Sequence, residues 1–500
     1  MAYRTLPLFT PNTGKLHGLV DVNTEYGVSF EGAPLNTLAK ATNLFYTSEG
    51  RIRNRPGRYT VSDFGSRTAP GWVGTDGTRL YDAGTSSLKQ GATAVTTAYA
   101  TPANISSAIY TDSAANTYLL TCDGGASATN VLKTLVTTDS AITGFPASTP
   151  QCVAVAGRRV FFAENNTLFW STFSPTLAAG GEWPAANEVS FADKGVTTIK
   201  TMVEFGGMLY CFGSGTVVQI NPSVDSVADS AYVVLSDFGV NGLRAAVAAK
   251  DRIFFTDGTD VYQWAPGGPP QSIASNNEGL SLVLATLRAA KTAATPYTTL
   301  GYDPFRDVLY VSNATKTLAY SVSLGAWAVW EFGATCWAAL SDAMYMTEVS
   351  LTETLSIDWT KFQDTVAGVA TPYTMTMRTA NFSVGQDARL QFKNVTIGYP
   401  GDSSLCQGSA TVNILKDGGS VAASNTATLQ VEGIFTFDSS LLDGTDVLGG
   451  EGTEQWERVA FPFPRGRTLG VEVISTGNFP ITLWSLMAQA QAVHEGAVLN

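Results

Sequence analysis

The side chains best suited to acid–base, nucleophilic and zinc chemistry are scarce in this chain. Its two histidines, His17 and His494, lie near opposite ends of the sequence, and we expect both at the surface rather than in a site. This inventory argues against histidine-based catalysis and against catalytic triads. The five cysteines are widely spaced and form no C-x-x-C pair, so the sequence predicts buried, reduced thiols and no zinc site.

Carboxylates are more numerous, and two short motifs place them where a cation could bind. Asp257–Asp260 and Asp443–Asp446 both read Asp-Gly-Thr-Asp, but neither has the alternating ligands and final glutamate of an EF-hand loop. Asp-Gly favours a tight hairpin, because glycine readily adopts the positive φ that such a turn requires. We therefore expect hairpin turns at both places, and no catalytic, cofactor-binding or metal-binding residue in the chain.

Three arginines alternate with other residues at positions 51, 53 and 55. Alternate residues of a strand point to the same side, so Arg51, Arg53 and Arg55 would line one face, and Pro56-Gly57 would end the strand. One interpretation is a solvated edge strand whose charges prevent aggregation. The other is a subunit-contact strip that meets an acidic neighbouring subunit.

The elements that would carry these residues are short strands that recur along the chain. In residues 243–266, three apolar runs follow one another, Ala245–Ala249, Arg252–Thr256 and Val261–Trp264, and Asp257-Gly258 joins the last two. A pair of apolar residues marks the second run of each copy: Leu80-Tyr81, Tyr118-Leu119, Val160-Phe161, Leu209-Tyr210, Ile253-Phe254, Leu309-Tyr310 and, more weakly, Met344-Tyr345. Copies spaced by about 40–50 residues are typical of the four-stranded blades of a β-propeller.

We therefore predict an all-β protein with a β-propeller of about six or seven irregular blades, followed by an antiparallel β-sandwich-like domain. The propeller would span 66–370 and the second domain 371–490. Residues 1–65 would form an N-terminal arm that ends in the propeller-closing strand, and 491–500 a short tail. The content of charged residues, 14%, is low beside a globular average of about 25% and fits a turn-rich β protein. A β-sandwich with ordinary hairpins is the alternative for the repeated segments.

The net charge of −12 argues against tight nucleic-acid binding, because an acidic surface repels the phosphate backbone. The same charge suits a wall past which DNA slides without sticking, although simple solubility would also explain it. The sequence has no run of 18 apolar residues and no basic-then-apolar leader, so we expect neither a membrane-spanning segment nor a secretory signal.

Residues 43–57 carry a recognisable pattern of an asparagine, an aromatic run, a glycine turn and Arg-x-Arg-Pro-Gly. The matching residues are Asn43, Phe45, Gly50, Arg53, Arg55, Pro56 and Gly57. They resemble the opening of the tail nozzle proteins of short-tailed bacteriophages, also called tail hub, tail tubular or packaged-DNA-stabilisation proteins. A helix predicted at Asn276–Lys291, with Asn276 or Asn277 as its N-cap, a Tyr-Asp-Pro turn at 302–304 and strands up to Trp330 follow the same order of elements.

This resemblance implies a structural virion protein with no enzymatic activity and no cofactor, located in the phage tail and made in the host bacterial cytoplasm. Copies would form a ring, a homohexamer in this family, beneath a portal-adaptor protein and in contact with tail fibres or other tail proteins. The ring would gate and conduct the genome during ejection, with transient passage of DNA and no stable nucleic-acid binding. Two alternatives stay open: a carbohydrate-active or glycan-binding propeller, whose hydrolytic form needs paired carboxylates, and a propeller scaffold for protein interactions.

Overall fold

The computed structural model describes residues 4–9, 25–27, 38–47, 50–64, 71–84, 88–91, 93–95, 99, 104–124, 132–135, 138–142, 144–146, 149–178, 180–275, 282–379, 381–383, 388–400, 406–417, 419–429, 454–477 and 479–494. Within them the chain is mostly β-strand and has one α-helix, Leu282–Thr292 (α1). The prediction of an all-β protein is confirmed at this level. No helix in the described part is long and apolar enough to span a membrane.

The described chain begins with six short strands. They are Arg4–Phe9 (β1), Glu25–Gly27 (β2), Leu38–Thr42 (β3), Leu44–Tyr46 (β4), Ile52–Asn54 (β5) and Gly57–Thr60 (β6). Short 3-10 turns occur at Ser62–Phe64, Gly180–Glu182, Ala192–Lys194 and Ala228–Ser230.

Seven antiparallel units of consecutive strands follow, which we number sheets I to VII. Sheet I contains Trp72–Thr75 (β7), Leu80–Ala83 (β8), Leu88–Gln90 (β9) and Thr93–Ala94 (β10), and sheet II contains Ser106–Thr111 (β11), Thr117–Cys122 (β12), Leu132–Leu135 (β13) and Thr138–Ala141 (β14). Sheet III contains Cys152–Ala156 (β15), Arg159–Glu164 (β16), Thr167–Trp170 (β17) and Glu188–Ser190 (β18), and sheet IV contains Thr201–Phe205 (β19), Met208–Phe212 (β20), Thr216–Ile220 (β21) and Tyr232–Ser236 (β22). Sheet V contains Ala246–Ala248 (β23), Ile253–Thr256 (β24), Val261–Trp264 (β25) and Gln271–Ser272 (β26). Sheet VI contains Thr299–Asp303 (β27), Val308–Ser312 (β28), Thr317–Ser321 (β29) and Ala326–Trp330 (β30), and sheet VII begins with Cys336–Leu340 (β31), Ala343–Thr347 (β32) and Leu355–Asp358 (β33).

The remaining strands build the C-terminal part. They are Asp364–Val366 (β34), Val369–Thr371 (β35), Tyr373–Thr379 (β36), Asn381–Ser383 (β37), Ala388–Pro400 (β38), Gly408–Lys416 (β39), Ser420–Leu429 (β40), Glu454–Ala460 (β41), Arg465–Gly466 (β42), Thr468–Gly477 (β43), Thr482–Leu483 (β44) and Ser485–His494 (β45).

The second strand of each sheet carries the apolar pair that marked the repeat in the sequence. In β24 and β28 every residue is buried, which explains why these strands read as continuous apolar runs rather than as alternating ones. The first strands contact one another in succession: β11 contacts β15, then β19, β23, β27 and β31 follow in order, and β31 contacts β7. The first strands of the seven sheets therefore form one series of neighbours.

The N-terminal strands are distributed among sheets built much later in the chain. We expected a strand that precedes the first repeat to pair with the last sheet. Strand β6 does so, because it pairs antiparallel with β33 of sheet VII. The other strands of the predicted arm pair outside sheet VII: β1 pairs with β45, and β3 lies between β36 and β30. Through β3, sheet VI continues into the C-terminal sheets.

Two sheets form the C-terminal part and share one apolar core. One has the order β1-β45-β38-β41, with β42 also on β38, and the other contains β2, β37, β43, β36, β39 and β40. Their facing positions, such as Phe392, Ile397 and Val473, are fully buried. The prediction of antiparallel strands from about 371 is confirmed for β36, β38, β39, β41 and β43.

Several predicted boundaries need correction. Within the predicted second domain, strand β40 ends at Leu429, and residues 430–453 lie outside the described part. The predicted tail 491–500 begins too early, because β45 stays paired with β38 as far as His494. The helix expected from Asn276 is described only from Leu282, so its predicted N-cap lies outside the described residues, as do His17 and the side chain of His494.

Candidate functional site: the arginine junction and the axial cavity

Arg55 lies at the centre of a buried ion-pair network, which we call the arginine junction (Asn43, Arg55, Arg58, Glu348 and Asp364). Arg55 is 1% exposed. Its Nη1 and Nη2 each donate to one Asp364 carboxylate oxygen over 2.8 Å. This two-pronged geometry matches the fixed fork of a guanidinium and makes a strong, directional pair.

Arg58 binds the same carboxylate from the other side. Its Nη2 lies 2.7 Å from Asp364 Oδ2, and its Nη1 donates to Glu348. Burial alone would raise the pKa of Asp364, but the hydrogen bonds and charges of Arg55 and Arg58 outweigh it and lower that pKa to about 2. Burial raises the pKa of Glu348, and the charge and hydrogen bond of Arg58, which lower it, do not fully offset this effect.

Asn43 and Gly57 explain the rest of the motif. Asn43 has a positive φ of 51°, and its Oδ1 accepts from Arg55 Nε (3.1 Å) and from the Glu331 backbone N–H (3.0 Å). Its Nδ2 donates to the Thr374 carbonyl over 3.0 Å. A side chain at Gly57 would place its Cβ 2.2 Å from the Gln363 carbonyl oxygen. The motif residues thus join the N-terminal arm, sheets VI and VII and the C-terminal sheets.

The three alternating arginines do not form one exposed strip. Strand β5 has β4 on one side and β44 on the other, so the interpretation as a solvated edge strand is wrong. The strand ends at Asn54, and Arg55 turns inward to Asp364, where pairing offsets the cost of burying its charge. Arg51 lies over the Trp484 ring at 4.0 Å and Arg53 over Phe362 at 4.7 Å. Contact of these two with another subunit stays a prediction.

A cavity of about 330 Å³ lies where the first strands of the seven sheets meet, and we call it the axial cavity. Its walls take residues from every sheet, among them Val73, Ser107, Val153, Met202, Ala246, Leu300 and Trp337. Arg244 crosses this space: Nη1 donates to the Thr335 carbonyl (3.0 Å) and Nη2 to the Ile105 carbonyl (2.9 Å). Arg244, which lies just before sheet V, is therefore bonded to backbone that borders sheets VII and II.

A second cavity of about 520 Å³ adjoins the axial cavity at Leu243, and we call it the mouth cavity. Its polar lining residues are Asn104, Asp123, Gln151, Thr198, Lys200 and Asn241. Most stand just before a first strand, at one end of sheets II to V. One carboxylate, one ammonium group and several amides can hydrogen-bond a small polar ligand. No sequence motif marked these residues; aligning the positions before each first strand would have found them.

The described part contains neither a cluster of potential metal ligands nor an exposed thiol. No group of three or more His, Cys, Asp or Glu residues there could hold a metal ion. Asp257 Oδ1 accepts from the backbone N–H groups of Thr259 (2.7 Å) and Asp260 (2.9 Å), so the expected hairpin is confirmed; Asp443–Asp446 lies outside the described residues. All five cysteines are free and buried as predicted, and burial raises the pKa of Cys152 to about 12.

Comparison with known proteins leaves the family open. No protein-family model matches the chain, and no curated protein matches its sequence. The extracellular domain of a putative one-component system from B. thetaiotaomicron aligns with 65% of this chain and 39% of its own, at 11% identity and a TM-score of 0.37. The computationally designed Ika8 protein aligns with 70% of this chain and 99% of its own, at 9% identity and a TM-score of 0.35. This chain thus covers well under two thirds of the first protein, and similarities this weak carry no argument about fold or function.

Proposed function

We propose that sheets I to VII are the blades of a seven-bladed β-propeller and that the two C-terminal sheets form a sandwich-like domain clamped to it. Three observations support this arrangement. The first strands contact in succession from β11 round to β31 and on to β7, and one cavity takes residues from all seven sheets. Strand β6 completes sheet VII, which is how an N-terminal strand closes a ring of blades.

We further propose that the chain is a structural virion protein, a ring-forming subunit of a short phage tail nozzle that gates and conducts the genome. The arginine junction is the observation that carries this proposal. Asn43, Arg55 and Gly57, three of the residues behind the resemblance to nozzle proteins, join the arm, the last sheets and the C-terminal sheets. A subunit that retains pressurised DNA needs such a rigid connection, and the motif supplies it without any catalytic residue.

In this proposal the DNA passes between subunits and not through one propeller. The axial cavity holds roughly ten water molecules at about 30 Å³ each, and Arg244 spans it. A duplex cannot enter such a space, so the channel must be enclosed by several copies around one axis. The net charge of −12 would keep DNA mobile along that channel.

Two experiments test the nozzle proposal. Light scattering coupled to size-exclusion chromatography should give a mass near six times 52.8 kDa, as the family resemblance implies, and electron microscopy should show a ring. Immunogold labelling of purified virions against this chain should mark the tail. A monomer at all concentrations, together with unlabelled virions, would contradict the proposal.

The mouth cavity favours a second candidate function, the binding of a small polar ligand such as a glycan. Its amides, Lys200 and Asp123 can satisfy hydroxyl groups. Asp123 is the one carboxylate among the described lining residues, and glycoside hydrolysis needs two, so this candidate is a binding protein and not an enzyme. A glycan array would test it, with Lys200→Ala/Asn241→Ala as the variant expected to lose any signal. The absence of binding across the array would remove this candidate.

A further inference from the structure

Within the described residues, the outer strand of sheet IV pairs with no further strand and forms a free edge of that sheet. Strand β22 has five residues and no charge, and Tyr232 and Val233 are 53% and 39% exposed. The outer strands β10, β18 and β26 have only two or three residues, while β3 and β34 cover the outer strands of sheets VI and VII. An exposed, uncharged edge of this length is a template for pairing with another chain.

Acidic side chains surround this edge. Asp225 and Asp229 are exposed just before β22, and Asp237 is exposed directly after it. We call these three aspartates, with Tyr232 and Val233, the acidic rim. The rim combines an apolar strand with negative charge, so its best partner is an apolar surface flanked by positive charge.

The C-terminal part of the same chain offers such a surface. Trp456 on β41 is 45% exposed and Phe463 is 48% exposed. Arg458 and Arg465 are exposed beside them and lie opposite Thr396 and Gln391 of β38. A bulge between Phe392 and Asn394 keeps both arginines on the outer face of the sheet, about 16 Å apart along β38. We call Trp456, Arg458, Phe463 and Arg465 the basic face.

The rim and the face lie on different parts of the subunit. The rim belongs to sheet IV, whereas the C-terminal sheets attach at sheets VI and VII through β3 and β6. Two complementary patches on one chain cannot satisfy each other within one molecule when they are so separated. They make a head-to-tail contact, which closes into a ring when the rotation allows.

We infer that the acidic rim of one copy docks on the basic face of the next and that this contact builds the ring. The inference rests on the proposed ring-forming function and names its interface. The arginines and Trp456 also have the chemistry to bind DNA phosphates and bases. A second copy is favoured because the chain carries the matching acidic, apolar rim, while its net charge of −12 repels DNA.

Charge reversal in trans tests the contact. A rim variant, Asp229→Lys/Asp237→Lys, and a face variant, Arg458→Glu/Arg465→Glu, should each associate roughly a hundredfold more weakly than the wild type, because like charges then meet. Mixing the two variants should restore assembly, since each positive surface now meets a negative one, and the restored rings should contain both variants in equal number. The particle mass, measured by light scattering at low and at raised salt, shows whether rings have formed.

Controls separate this inference from the nozzle proposal. Exposed charges reversed elsewhere, Lys316→Glu and Asp342→Lys, should assemble like the wild type, and unfolding temperatures should show that all variants fold. If the wild type forms rings and both reversal variants do too, or mixing restores nothing, the inference is overturned and the nozzle proposal stands. If only the face variant changes, losing affinity for a duplex DNA probe, the face binds DNA and the inference is overturned. A monomeric wild type overturns both.

Discussion

The arginine junction and the mouth cavity are both rich in charged and amide groups, yet they are built in opposite ways. In the junction, Arg55 is 1% exposed and its Nη1 and Nη2 each meet a carboxylate oxygen at 2.8 Å. In the mouth cavity, Lys200 and Asn241 border about 520 Å³ of open space. Arg55, which the sequence marks with a motif, holds parts of the molecule together, whereas the polar groups of the mouth cavity, which no motif marks, surround the space where a ligand could bind.

The largest expected effect comes from breaking the junction. Arg55→Met should destabilise the fold by about 3–5 kcal/mol, because the buried Asp364 carboxylate loses two charge-assisted hydrogen bonds and keeps Arg58 as its remaining cationic partner. Urea unfolding measures this. Arg51→Met, which removes a partly exposed cation over Trp484, should cost below about 1 kcal/mol. Equal losses in the two variants would show that the junction is no more structural than the surface.

Gly57→Ala probes the closest approach in the junction. The added Cβ would lie 2.2 Å from the Gln363 carbonyl oxygen, so β6 must shift, at a cost of about 3 kcal/mol, the upper end of the range for overpacking. Gly215→Ala is the matched control, because nothing lies within 4 Å of its Cβ position. The melting temperatures of the two variants compare them directly, and a harmless Gly57→Ala would contradict the tight contact.

Acid should weaken the junction in a defined window. Asp364 has a folded pKa of about 2, below its ordinary value of 3.8. Its stabilisation, about 2 kcal/mol, is therefore fully present above pH 4 and is lost as the pH falls toward 2. Glu348 has the opposite sign: because its pKa is raised in the folded state, its protonation favours the fold at low pH, and this contribution is lost as the pH rises through the folded pKa.

The difference in unfolding free energy between wild type and Asp364→Asn, followed from pH 6 to pH 2, isolates this contribution. It should shrink by about 2 kcal/mol as the pH falls from 4 to 2. A difference that stays constant would show that the Asp364 carboxylate gains nothing from its arginine partners.

The smallest effect is expected in the mouth cavity. Lys200→Ala/Asn241→Ala should change the unfolding free energy by no more than about 0.5 kcal/mol per substitution, because both side chains border open space. Thermal unfolding tests this. A loss as large as that of Arg55→Met would mean that the mouth cavity is a structural network like the junction.

Local patterns in the sequence were enough to predict the repeated sheets. Leu80-Tyr81, Ile253-Phe254 and the other apolar pairs lie in second strands, because a strand buried on both faces needs consecutive apolar residues. The turn at Asp257 was likewise predicted from Asp-Gly alone. Both features depend on neighbours a few positions away.

Long-range features could not be predicted. Arg4 pairs with Ala490, and Arg55 finds Asp364 some three hundred residues later; nothing local indicates either partner. The alternation of strand residues predicted that Arg55 lies on the same face as Arg51 and Arg53. Strand β5 ends at Asn54, however, so this alternation does not extend to Arg55. The mouth cavity takes its lining from segments next to sheets II to V, and only the packing of those sheets against one another brings its residues together.

Electron microscopy of the purified wild-type chain, with its particle mass measured on the same sample, tests the central claim most directly. The account predicts a ring of several copies around a central channel, each copy showing a seven-lobed toroid joined rigidly to a second β domain. Isolated single copies under all conditions, or copies whose two parts adopt variable relative positions, would contradict it.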